Sequence, residues 1–68
     1  MNNSENRLSL LSFDDLQRIV PLSRTTIWRL ERQGDFPRRI RIGSNRVAWV
    51  ETEVESWIND RLAEREAG

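Results

Sequence analysis

The sequence predicts a small α+β domain, mostly helical, built from three helices and a two-stranded β-hairpin. Apolar residues recur at helical spacing in three stretches, Phe13 to Val20, Ile27 to Leu30 and Val54 to Leu62. Residues 38–42 alternate basic and apolar, residues 46–49 alternate again, and Gly43-Ser44-Asn45 lies between them, which is a hairpin pattern. Gly34 and Pro37 separate the helical part from the alternating part. A glycine supplies the left-handed residue that commonly ends a helix, and a proline prevents its continuation.

The chain has 68 residues. That length is one domain, here residues 7–66, burying about 60% of the unfolded chain's surface. Residues 1–6 are polar and are expected to be a flexible N-terminus. Cysteine and histidine are both absent, which removes disulfides, zinc-finger ligand sets, thiol nucleophiles and imidazole bases together. No apolar run exceeds four residues, and the start MNNSENR lacks the apolar centre of a signal peptide. The expectation is a soluble, cytoplasmic protein with no membrane partner.

Taken in order, Leu8, Leu10 and Leu11 read as a short extended entry anchoring the chain to the core. Ser12 is placed to cap a first helix, with Asp14 and Asp15 in its first turn where the helix dipole favours acids. Phe13, Leu16, Ile19 and Val20 are its expected core residues, and Gln17 and Arg18 are left outside. Ser23 caps the second helix. At about 100° per residue, Ser23, Ile27, Leu30 and Gly34 share a face, while Thr25, Trp28, Arg29 and Arg32 fall on the other. In the hairpin, Ile40, Ile42, Val47 and Trp49 are expected to face the helices, Arg39 and Arg41 to face out, and Arg46 to sit at the loop. Thr52-Glu53-Val54-Glu55 matches a capping box for the last helix, whose apolar stripe is Val54, Trp57, Ile58 and Leu62.

The formal net charge is zero, but it is segregated. Residues 7–46 hold nine arginines against Asp14, Asp15, Glu31 and Asp35, a net +5, and residues 47–68 hold Arg61 and Arg65 against six acids, a net −4. A basic part joined to an acidic last helix suggests one face for a polyanion and one turned away from it. Plain solvation of a surface is the simpler reading of the acidic end. All eleven basic residues are arginine; the guanidinium fork suits phosphate and guanine edges, but genomic base composition gives the same bias and is the better explanation of most of it.

Only Pro21 and Leu22 separate the first helical stretch from the Ser23 cap, which is helix-turn-helix spacing, and a β-hairpin directly after such a pair is the wing of a winged helix. Two helices on a tight turn also occur in proteins that bind nothing. The outward arginines of the hairpin are what a hairpin present only to cover the core does not need.

The strings Leu22-Ser23-Arg24-Thr25-Thr26-Ile27-Trp28-Arg29-Leu30, Gly34-Asp35-Phe36-Pro37, Ile42-Gly43, Val47-Ala48-Trp49 and Val54-Glu55-Ser56-Trp57-Ile58 resemble the AlpA family of small prophage regulators. That family lies within a wider excisionase-like group with a MerR-like winged helix. The resemblance implies a DNA-binding protein of a phage or mobile element that controls transcription, excision or both. It places a recognition helix on residues 23–33 and a wing on residues 43–46. Trp28 stands where relatives commonly have tyrosine; an indole donates one hydrogen bond and accepts none, so phosphate contact and partial burial against the wing both stay open. Asn45 departs from the small or basic residue common there.

The expected DNA-binding residues are therefore Ser23, Arg24, Thr25, Thr26, Trp28, Arg29 and Arg32 on the helix, with Arg39, Arg41, Ser44, Asn45 and Arg46 on the wing. Thr25, Arg29 and Arg24 are expected near base edges, and Arg41, Arg46 and Ser44 on the backbone or minor groove. Expected partners are double-stranded DNA, further copies of the chain on DNA, and an integrase or the transcription machinery. A protein-interaction module or antirepressor using the acidic last helix is the competing reading, and it predicts feeble DNA affinity. No nucleophile–base pair is present, so no catalytic residue, metal, cofactor or small-molecule substrate is expected.

Overall fold

The computed structural model describes residues 9–67, and side chains as far as residue 66; the expected flexible segment 1–6, with Arg7 and Leu8, lies outside the described residues. The elements are β1 (Leu10–Leu11), α1 (Phe13–Ile19), α2 (Arg24–Gln33), β2 (Ile40–Gly43), β3 (Arg46–Val50) and α3 (Glu51–Ala67). Three helices and a hairpin are present as expected. The extended entry goes further than expected: it pairs with the hairpin, so the sheet has three antiparallel strands in the order β1-β3-β2, with Leu10 opposite Val50 and Leu11 opposite Trp49. A two-residue strand is too short to show a period of two, which is why only an extended run was visible.

Local chemistry sets the helix limits. Ser12 Oγ accepts from the Asp15 amide at 3.1 Å while the Asp15 carboxylate accepts from the Ser12 amide at 3.4 Å, a reciprocal capping box at the start of α1. Ser23 Oγ accepts from the Thr26 amide at 3.1 Å at the start of α2. Gly34 ends α2 at φ 79°, the left-handed cap. The side-chain amide of Gln17 donates to the Leu22 carbonyl, closing the turn between α1 and α2.

The last helix starts differently from expectation. It begins at Glu51, directly after β3 ends at Val50, so Thr52 lies inside the helix instead of capping it. The Glu51 amide donates to the Ser9 carbonyl at 2.8 Å. One of the first-turn amides that a helix leaves without an internal partner is thus satisfied by the entry segment.

The core is Leu11, Leu16, Val20, Ile27, Phe36, Trp49 and Val54, with Phe13, Leu22, Leu30, Val47, Trp57 and Ile58 packed against it. Trp49 and Ala48 are both buried because β3 is the central strand. Five residues expected in or against the core are exposed: Leu10 at 41%, Ile19 at 43%, Ile40 at 39%, Ile42 at 50% and Leu62 at 42%, and of the described entry residues only Leu11 anchors the core. Ile40 and Ile42 have the right period, but β2 is the sheet edge and leaves both partly open to solvent. Ile19 is the last residue of a seven-residue helix, and Leu62 lies on the part of α3 that runs beyond the core.

Candidate nucleic-acid interface

The second helix divides as its periodicity requires. Ile27 and Glu31 are buried and Leu30 is half-buried, while Arg24, Thr25, Trp28, Arg29 and Arg32 are exposed. Two of these exposed guanidinium groups lie over aromatic rings, Arg24 at 4.0 Å from the Phe13 centroid and Arg32 at 4.7 Å from that of Trp28. Stacking of this kind holds a long side chain in place without using its hydrogen-bond donors. No ion pair among the described residues engages Arg29. Trp28 is 50% exposed, which is partial burial and leaves the rest of the indole accessible.

Ser23 and Thr26 are placed otherwise. The Ser23 hydroxyl accepts from the Thr26 amide and donates to Thr26 Oγ1 at 2.9 Å, and Thr26 is half-buried. Their hydroxyls hold the first turn of α2 together, which positions Arg24 and Thr25 at the helix start.

The wing closes between Gly43 and Arg46, with a register irregularity between Arg41 and Gly43. Ser44, Asn45 and Arg46 are exposed at its tip, and Arg41 Nη2 donates to the Ser44 carbonyl at 3.5 Å. A cleft lined by Phe13, Arg24, Thr25, Trp28, Arg39, Val47 and Trp49 runs between α2 and the hairpin. Arg24, which has no ion pair among the described residues, and the Trp28 indole on one side of this cleft suit a polyanion's backbone.

Arg39 corrects the expectation that it faces out beside Arg41. It is half-buried, and its Nε donates to Glu31 Oε1 at 3.0 Å. The cause is Glu31, the one charged residue buried among the described residues at 6% exposure, whose Oε2 accepts from Trp49 Nε1 at 2.8 Å. Glu31 was missed as a site residue, although its position carries a signal. It stands one turn after Ile27 and next to Leu30, an acid on the apolar face of a helix, with a tryptophan and arginines downstream to receive it.

The model of the family described as prophage CP4-57 regulatory protein (AlpA) matches residues 9–62. The chain belongs to the AlpA family of phage regulatory proteins. The match takes in β1 through most of α3, hence all of the exposed face of α2 and the wing. The chain is also similar to an uncharacterized protein, ORF88, of Enterobacteria phage P4, with 38% identity over 58 residues, 85% of this chain and 66% of that one. Slightly less than two thirds of the phage protein's length is thus spanned. The family resemblance carried by the Ser23 to Leu30 string and by Phe36-Pro37 agrees with both findings. Among the described residues no group of His, Cys, Asp and Glu is placed to hold a metal ion, and no helix is long and apolar enough to cross a membrane.

Proposed function

We propose that this AlpA-family chain binds double-stranded DNA sequence-specifically, placing α2 in the major groove with the wing on the adjacent backbone. One observation carries the reading: Arg24, Thr25, Trp28, Arg29 and Arg32 are exposed on one face of a helix whose opposite face is buried, beside a wing with Arg41 and Arg46 at its exposed end. Thr25 and Arg29 are base readers in this arrangement. Arg24 lies between base edge and backbone, and Arg41, Ser44, Asn45 and Arg46 position the backbone.

The regulatory output follows from size. A single module of this kind buries about 600–1,000 Å² on DNA, which limits specificity. Several copies therefore occupy adjacent, similarly oriented sites and bend the DNA between them. Such an assembly serves promoter control and excision alike, with an integrase or the transcription machinery as its neighbour. The far part of α3 supports a protein contact there, since Leu62, Glu64 and Glu66 are exposed beyond the core. Acidic side chains on one copy complement the arginine-rich hairpin of the next.

Selection from a random duplex library with the purified protein tests the reading. Recovery of a recurring motif is the expected result. Recovery of no motif, with equal retention of all duplexes, would remove sequence-specific binding.

A further inference from the structure

We infer that Glu31 is a positioning residue that fixes α2 against the wing, and thereby sets how strongly the protein prefers its own site over other duplex DNA; the inference rests on the DNA-binding reading above. Glu31 sits in the last part of α2, away from the exposed reading face, and is 6% exposed. Its two carboxylate oxygens go to two different parts of the hairpin. Oε2 accepts from the Trp49 indole of β3 at 2.8 Å, and Oε1 accepts from Arg39, the residue just before β2, at 3.0 Å. Arg39 also lies over the Trp49 ring, 5.4 Å from its centroid, so the three side chains form one unit.

Among the described residues these are the hydrogen bonds that join α2 to the hairpin. Close backbone contact between α2 and the hairpin is sparse, so their relative placement depends on side chains. An ion pair with one buried partner and one half-buried partner adds little net stability, but it is directional, and the best-attested use of such pairs is to select one geometry. A reading helix and a wing that meet DNA together need such a fixed relation, because base contacts form only when both are in register with the groove.

The pair has a second consequence. Glu31 engages a guanidinium that would otherwise add one more mobile positive charge beside Arg38 and Arg32. Unspecific affinity grows with each phosphate contacted. The carboxylate therefore supports the specific complex by geometry and restrains the unspecific one by charge.

Three variants test this by duplex titration over a range of salt, using the selected site and a scrambled sequence, with thermal unfolding measured alongside. Glu31→Gln keeps an acceptor for the Trp49 indole and removes the charge from Arg39. Its preference for the selected site should fall about tenfold, the size of one good base contact, while scrambled binding holds or tightens and its salt slope steepens by about 0.9. Glu31→Gln combined with Arg39→Gln removes the released charge and should return the salt slope to that of the wild type. Arg39→Gln alone leaves Glu31 on Trp49 and should lower preference with no change in salt slope, even if Glu31→Gln fails to fold.

Parallel losses on both duplexes in step with the folded fraction would reduce Glu31 to a stability residue and overturn the inference. A salt slope lowered by about 0.9 in Arg39→Gln would show Arg39 to be a phosphate contact in the wild type, which also overturns it. Wild-type preference with an unchanged ratio in Glu31→Gln overturns the positioning role of Glu31 alone; a wild type with no preference overturns the DNA reading and that role together.

Discussion

The indole nitrogen of Trp57 donates to the carbonyl oxygen of Asp35 at 2.5 Å, joining the exit of α2 to α3. The Arg61 guanidinium lies 4.8 Å from the centroid of the same indole and reaches the same carbonyl at 3.5 Å, while Phe36 packs edge-on against the ring with centroids 4.9 Å apart. The turn between α2 and the hairpin is thus held from the side by α3, so the acidic last helix has a structural task whatever else it touches.

Trp57→Phe keeps an aromatic ring and removes the donor. Urea unfolding should show a loss of about 0.5–1.5 kcal/mol, the usual net value of one intramolecular hydrogen bond. An unchanged midpoint would mean that the ring alone holds the turn.

Gly34 and Gly43 give a matched pair. Gly34 has φ 79° and open space where a Cβ would project, so Gly34→Ala should lose about 1 kcal/mol from backbone conformation alone. At Gly43 the added Cβ meets Arg46 Cβ at 3.6 Å, an ordinary contact, with no left-handed backbone. Gly43→Ala should stay within about 0.5 kcal/mol of the wild type. Equal effects in thermal or urea unfolding would contradict the assignment of Gly34 as the left-handed cap.

Much of this fold is legible in the sequence because its signals are local. Ser12 and Ser23 announce helix starts, Gly34 a helix end, and the alternation about Gly43-Ser44-Asn45 a hairpin. The failures occur where distant parts of the chain decide. Thr52 has the sequence of a cap, but the Ser9 carbonyl takes the Glu51 amide, a pairing that no window around residue 52 contains. Ile40 and Ile42 have the period of a buried strand face, but burial depends on what lies above β2, and the described residues cover these two side chains only in part. In the candidate site, the exposure of Trp28, Arg29 and Arg32 followed from periodicity, whereas the engagement of Arg39 depended on a carboxylate eight residues earlier and an indole ten residues later.

Duplex binding should weaken steeply with salt. In the proposed complex the exposed arginines of α2 and the wing are expected to reach about four to six phosphates, each adding about 0.9 to the slope of log affinity against log salt. A titration of the selected duplex between low and physiological salt reads the slope directly, and a flat response would exclude phosphate contact as the source of affinity.

If α2 reads bases while the wing positions the backbone, Arg29→Ala and Arg46→Ala must differ in kind. Both residues are exposed, and no ion pair among the described residues engages either. Each variant is titrated with the selected duplex and with single-base variants of it across salt. Arg29→Ala should cost about 1–3 kcal/mol on the selected duplex and flatten discrimination at one position. Arg46→Ala should weaken every duplex about equally and lower the salt slope by about one. The contradicting result is altered base preference in Arg46→Ala with unaltered preference in Arg29→Ala, which would make the wing the reader and α2 its support.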